Sequence, residues 1–422
     1  MLKMRLLIFV LVSCFGQFLT AADWPSFRGP FGNGFSPEID IPVEWDSQTN
    51  IKWKVALPEP GNSSPIVSAG RIFVTCAENE GRARSLFCFD AKDGSQRWVR
   101  TVDFQQVIPT HETNNYCGST PVTDGKSVVV WHGSAGLYCY GVDGQARWNR
   151  NFGEFRHMWG YGASPVLHQG RIILHAGPGK RVFLMALDLE TGETIWSTEE
   201  PIDGDGERNA ANQYMGSWST PVVVQDGSRT LVVCSMATRV NGYDLNSGEI
   251  VWSCDGLRGE NGDLAYTSPI IAGNICVAMG GYRGPAIGFQ ITDEETSKQK
   301  KLLWHVEPNP QRIGSGIFVD GYIYLANAGP SVIQCLDPQT GKIVWEERSG
   351  GVDHWGSLVT AGGRIYGTDQ DGTTHVFLPN PKKFESVAKN QLQEPSNSTP
   401  AFSRGHIYIR TFQHLYCIRE EN

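Results

Sequence analysis

Between Ala163 and Trp196 short apolar runs alternate with polar, glycine-bearing turns. Pro165–Leu167, Arg171–His175, Val182–Asp188 and Ile195–Trp196 are the runs; Gln169-Gly170 and Glu190-Thr191-Gly192 are the turns. This pattern predicts four short antiparallel strands. A sheet so small cannot bury both faces and needs neighbours. The rest of the chain supplies them by repetition. A first-strand mark recurs at Ser64-Pro65, Thr120-Pro121, Ser164-Pro165, Thr220-Pro221, Ser268-Pro269, Gly316-Ile317, Ser357-Leu358 and Thr399-Pro400. Proline is tolerated there because it opens a strand and removes no interior ladder bond. A last-strand mark recurs at Trp53, Trp98, Trp148, Trp196, Trp252, Trp304 and Trp345. Their spacing of about 40 to 55 residues is that of a four-stranded propeller blade. The seventh unit has no such Trp, and its last strand is expected near Phe384–Ala388. Trp53 precedes any first-strand mark, whereas the C-terminal unit, ending near Cys417–Arg419, has only three strands. The expected fold is therefore all-β: an eight-bladed β-propeller of four-stranded antiparallel blades, the last blade closed by the N-terminal strand. Closure removes the open sheet edges of a linear array.

Composition narrows the reading. Among 422 residues, 48 Gly and 13 Trp fit many turns and a recurring large packing residue, and 40% hydrophobic content is ample for a core. A net charge of -8 from mixed charges gives no support for nucleic-acid binding or for a polybasic membrane surface. No run in the body of the chain reaches membrane-spanning length. The N-terminus differs: Lys3 and Arg5 precede the apolar stretch Leu6–Leu19 and then Thr20-Ala21-Ala22. Residues 1–22 read as a secretory signal cleaved after Ala22. Leu11-Val12-Ser13-Cys14 also fits a lipobox, which makes Cys14 a candidate lipid anchor. Either route places the mature protein outside the cytoplasm, periplasmic or membrane-anchored. Residues 23–50 form a Pro-, Gly- and aromatic-rich arm, whose Trp24, Phe27, Phe31 and Phe35 are expected to pack on something, and residues 51–422 form the propeller, expected to be a monomer. Export permits disulfides, but Cys88, Cys139, Cys335 and Cys417 occupy a repeat position that Ala186 and Gly242 fill elsewhere. That position asks for a small buried residue, so these cysteines read as inert thiols.

The last two strands carry a tighter signature. Asp90, Gly94 and Trp98; Asp188, Gly192 and Trp196; Asp244, Gly248 and Trp252; and Asp337, Gly341 and Trp345 all follow D-x3-G-x3-W. This resembles the repeat of the pyrroloquinoline quinone (PQQ) family of quinoprotein-alcohol-dehydrogenase-like propellers, in which the Trp docks between neighbouring blades. The resemblance covers nearly the whole mature chain and makes the seven Trp structural. The opening WPSFRGP is similar to the start of many secreted bacterial members. Blades two, five and seven depart from the repeat.

The candidate functional face is set by loop length. Turns between first and second strands are short, whereas the blade-to-blade loops are long and rich, and function sits on such loops. They offer His111, Asn115, Tyr116, His157, Trp159, Tyr161, Arg208, Trp218, Arg312 and Trp355 as ligand-binding candidates around the central channel. Asp203, Asp205 and Glu207 form an acidic Gly-containing loop whose oxygen spacing loosely suits calcium. Asp353-His354 is a candidate acid–base pair. Family dehydrogenases imply a calcium-held PQQ, a catalytic Asp and usually a vicinal disulfide; this chain has no Cys-Cys pair. No G-x-S-x-G, H-E-x-x-H or phosphate loop occurs. The reading favoured is a non-catalytic binding or scaffold propeller of the bacterial envelope, resembling the branch that includes the outer-membrane assembly factor BamB and engaging an envelope protein or a small polar ligand. A PQQ- and calcium-dependent dehydrogenase of alcohols or sugars is the second, and a carbohydrate-binding propeller using Trp159, Trp218 and Trp355 the third.

Overall fold

The computed structural model describes residues 23–200, 206–292 and 298–420; Cys14, the leader, Asp203 and Asp205 lie outside them. The described residues hold eight four-stranded antiparallel sheets, one three-stranded sheet and a single 3-10 turn at Gly133–Ala135. None of their helices is long and apolar enough to cross a membrane. In blade three the strands are Val166–His168, Arg171–Ala176, Phe183–Asp188 and Thr194–Glu199. The second and third are buried almost throughout, while the fourth shows a largely exposed edge. The N-terminal strand Ile51–Ala56 pairs antiparallel with His414–Ile418 and completes the sheet that contains the last strands of the chain.

Register explains the small repeat position. Each Trp stands directly across from it: Cys417 faces Trp53, Cys88 Trp98, Cys139 Trp148, Ala186 Trp196, Gly242 Trp252, Gly288 Trp304 and Cys335 Trp345. A Cβ on Gly242 would lie 2.3 Å from the Trp252 ring. The seventh blade, which has no Trp, reverses the pair: Ala388 faces Val376. Its last strand is Ser386–Gln391, starting two residues later than the sequence suggested. All nine described cysteines are free and buried.

Each Trp also reaches the next blade. The indole N–H of Trp98 donates to the Val142 carbonyl (3.1 Å), that of Trp148 to Leu189 (2.9 Å), of Trp196 to Leu245 (2.9 Å), of Trp304 to Pro338 (2.8 Å) and of Trp345 to Asn380 (2.9 Å). Where the neighbouring blade carries a D-x3-G turn, the ring lies over its glycine: Trp53 over Gly94, Trp148 over Gly192, Trp196 over Gly248 and Trp304 over Gly341. A Cβ on Gly248, where φ is +72°, would lie 2.4 Å from Trp196. The Asp closes that turn: Asp188 Oδ1 accepts the N–H groups of Glu190 and Thr191. Trp252 is the exception, with its indole N–H buried and unpartnered. Its neighbour is blade five.

The first-strand marks close the ring from inside. Ser64 N–H donates to Thr120 Oγ1, Thr120 N–H to Ser164 Oγ, Ser164 N–H to Thr220 Oγ1, Ser268 N–H to Ser315 Oγ, Ser315 N–H to Ser357 Oγ, Ser357 N–H to Thr399 Oγ1 and Thr399 N–H to Ser64 Oγ, all at 2.9–3.0 Å. The circuit corrects the sixth mark, which is Ser315-Gly316 rather than Gly316-Ile317. Between Thr220 and Ser268 the link is instead Trp218 N–H to the Ala265 carbonyl (2.8 Å).

The N-terminal arm crosses the end of the ring that carries the short turns. Trp24 is buried and exchanges backbone hydrogen bonds with Val67, and Pro25 accepts from Thr123. Further along, Ser36 N–H donates to Thr360 and Gly362 N–H to Glu38. The chain thus passes from blades one and two to blades six and seven. Arg28, buried at the crossing, donates to the Gly316 carbonyl.

Candidate functional site

A cavity of about 480 Å³ occupies the central channel. Its floor includes Phe27 from the arm, and all eight Ser/Thr of the first-strand marks line its wall. Above them runs a second ring, the residues two positions before each mark: Asn62, Gly118, Gly162, Trp218, Tyr266, Ile313, Trp355 and Asn397. Extended backbone alternates sides with period two, so positions −2 and 0 both point inward and position −3 points away.

That phase sorts the sequence candidates. His111, Trp159, Trp218 and Trp355 line the cavity; Asn115, Tyr116, His157, Tyr161, Arg208 and Arg312 do not. Tyr161 and Arg312 stand at position −3. Tyr161 is buried beside Arg84, and its hydroxyl donates to the Tyr116 carbonyl at 2.7 Å. Arg312 is buried and donates to Asn309 Oδ1 at 2.6 Å and to Gln334; burial lowers its guanidinium to about 9. Asn114, not Asn115, faces the channel. His157 acts from behind the wall: Nδ1 accepts the Trp159 N–H (3.1 Å), Nε2 donates to the Met215 carbonyl (3.1 Å), and the ring meets Trp218 edge-on at 4.9 Å. Burial holds its pKa down near 4, so it is a neutral prop at pH 7. Arg208 is exposed and lies over the Tyr214 ring at 3.9 Å. Glu207 is half-buried, and its carbonyl accepts from Met215 N–H. Asp353 and His354 do not face each other: the Asp353 carboxyl adjoins Gly329, and the His354 ring meets His375.

The wall is unequal around its circumference. On one side Trp159, Tyr214, Trp218, Tyr266 and Tyr282 form a continuous aromatic surface. Trp159 lies 4.6 Å from Tyr214, 5.8 Å from Trp218 and 6.4 Å from Tyr282 between ring centroids, and Trp218 lies 5.4 Å from Tyr266. Ile313 and Trp355 extend it. On the other side Asn397, Asn62, Thr113, Asn114 and His111 present amides, a hydroxyl and an imidazole. Asn397 donates to Asn62 Oδ1 (3.1 Å), Asn62 to the Thr113 carbonyl (2.8 Å) and Asn114 to the Trp159 carbonyl (2.7 Å). These amides are held before any ligand arrives.

The aromatic half is built by an element the sequence reading did not anticipate. Tyr214–Ser217 pairs parallel with Gly262–Ala265, which pairs antiparallel with Arg258–Gly259. This extra sheet joins two blade-to-blade loops and sets Tyr214, Trp218 and Tyr266 side by side. Among the described lining residues there is no Asp, Glu, Lys or Arg.

The comparisons fit this architecture. A family model described as "Outer membrane protein assembly factor BamB" matches residues 43–118 and 107–347. BamB from Moraxella catarrhalis is structurally similar, at 16% identity and TM-score 0.60, with 86% of this chain and 98% of that chain covered. The quinohemoprotein alcohol dehydrogenase from Comamonas testosteroni aligns at 14% identity and TM-score 0.67, over 95% of this chain and 82% of that one. ADHIIG from Pseudomonas putida HK5, another quinohemoprotein alcohol dehydrogenase, aligns at 12% and 0.64 over the same shares. At these identities the structural likenesses speak for the fold. No curated protein matches the chain. The matched family model spans most of the chain, and the docked-Trp blades are those of its repeat: the chain belongs to the PQQ-repeat β-propeller family described as outer membrane protein assembly factor BamB.

Proposed function

We propose that this chain is an exported, non-catalytic binding propeller whose channel mouth holds an uncharged, hydroxyl-bearing ring such as a sugar. The observation that carries this is the two-sided wall: an aromatic half that suits the apolar face of a ring, opposite fixed amides that suit its hydroxyl edge. The cavity volume lies within the range of small-ligand sites. A tip of a partner protein in the envelope could offer similar chemistry and is the competing occupant.

The dehydrogenase reading requires a site for PQQ, a tricarboxylate quinone held by calcium. Calcium takes hard oxygen ligands, carboxylates above all, and the described lining offers neither a carboxylate for the ion nor a Lys or Arg for the quinone. These residues do not fit the group.

The test is a tryptophan-fluorescence titration of the mature protein with a panel of neutral mono- and oligosaccharides. Saturable binding, lost in Trp355→Ala and weakened about tenfold or more in Asn62→Ala, supports the reading. A spectral change and thermal shift with PQQ plus calcium, and none with any sugar, overturns it.

A further inference from the structure

Outside the channel, His354, Asp369 and His375 form a cluster whose ligand atoms all lie within 4.8 Å of one another. His354 comes from the loop joining blades six and seven. Asp369 follows the strand Arg364–Thr368, and His375 lies in the strand Thr373–Phe377. Their exposures are 1%, 0% and 2%. His375 Nε2 donates to Asp369 Oδ2 at 3.0 Å. Neither ring nitrogen of His354 has a well-formed hydrogen bond, and the Thr368 backbone is the polar group beside the ring. His375 Nδ1 is also unpartnered. A buried imidazole with both nitrogens unmatched is expensive. Another buried histidine, His132, shares that property, but only at His354 do a carboxylate and a second imidazole stand within ligand distance among the described residues.

We propose that His354, Asp369 and His375 bind a divalent first-row transition metal ion, with zinc as the reference case. Two imidazoles and a carboxylate are a donor set for such ions rather than for magnesium or calcium. Metal–ligand bonds of about 2.0–2.2 Å bring tetrahedral ligand atoms to roughly 3.4 Å from one another, which these side chains reach by small rotations. The Asp371 carboxyl adjoins that of Asp369 but lies outside the cluster, its Oδ1 accepting the Thr373 N–H and hydroxyl. Gly351 roofs the cluster: a Cβ there would lie 2.2 Å from Asp369 Oδ2 and 3.2 Å from His375 Nε2. A bound ion would staple the six-to-seven loop onto blade seven. It would also fix the channel wall, because Trp355 follows His354, and Gln370 beside Asp369 donates to Asn397 at 3.0 Å. The proposal does not depend on the sugar-binding reading, since the cluster is separate from the cavity lining.

The test starts from chelator-stripped full-length protein titrated with cobalt(II). One equivalent should bind with a visible d–d absorption band, be displaced by zinc(II), and raise the melting temperature. His354→Gln and His375→Gln should each weaken binding about 100-fold or more while the metal-free melting temperature stays close to wild type. Should those variants fail to fold, pulsed EPR of the copper(II)-loaded wild type decides, and two imidazole couplings are expected. Absence of stoichiometric binding to wild type, a copper spectrum without two imidazoles, or undiminished binding in folded His354→Gln/His375→Gln overturns the proposal.

Discussion

At the scale of single residues, the Trp and the position opposite it are one unit. Cys, Ala or Gly faces each of the seven last-strand Trp, and where that Trp is replaced by Ala388 the facing residue grows to Val376. This is volume exchange across a strand pair, the requirement of a close-packed interior. Trp196 is buried and hydrogen-bonded to Leu245, so Trp196→Ala should cost about 3–5 kcal/mol; an unchanged urea midpoint would refute the docking. Gly242→Ala adds a methyl within 2.3 Å of Trp252 and should cost about 1–3 kcal/mol. The same change in a Trp252→Ala background should cost clearly less, because the clash has been removed. Additive effects in that double-mutant cycle would show that the register pairing carries no energy.

At the scale of the element, the first strand matters more for its entry than for its length. At seven of the eight marks the Ser or Thr hydroxyl accepts the backbone N–H of the preceding blade, Ser268 being the exception, and a proline beside the hydroxyl needs no ladder bond. Ser357→Thr should therefore be nearly neutral, whereas Ser357→Ala leaves the buried Ser315 N–H unmatched and should cost about 1–2 kcal/mol. Equal denaturation midpoints for the two variants would argue against the ring. The marks were legible in the sequence as a repeat, but their purpose was not, since it lies in contacts between blades about 40 to 55 residues apart. The same distance hid half of the site. Trp218 and Trp355 drew attention as aromatics in rich loops, and they do face the channel. Tyr161 and Arg312 drew the same attention one residue out of phase and face away. Counting two back from each mark finds Asn62, Tyr266 and Asn397. Tyr214 needed the three-stranded sheet, whose parallel pairing follows no local pattern.

At the scale of the whole molecule, ring closure makes burial nearly uniform, and this has a consequence for acid stability. His132, His157 and His175 are buried in three different places, and desolvation lowers their pKa values to about 3, 4 and 4; the Arg84 charge adds to the effect at His132. An unfolded histidine titrates near 6.5. Below that pH the unfolded chain binds protons that the folded chain refuses, so stability is fully present above pH 6.5 and is lost as pH falls towards 4. At pH 5 each histidine removes up to about 2 kcal/mol. Asp369 acts in the opposite sense: burial raises its carboxyl to about 6, so below that pH it favours the folded state, by about 1 kcal/mol at pH 5. Three histidines outweigh one carboxyl, and the net change destabilises. The urea midpoint should therefore fall markedly between pH 7 and pH 5, and His175→Gln should reduce the drop, because glutamine cannot be protonated in that range. A midpoint constant across the interval would mean that these histidines can be hydrated in the folded state, and that the interior is more open than the closed ring implies.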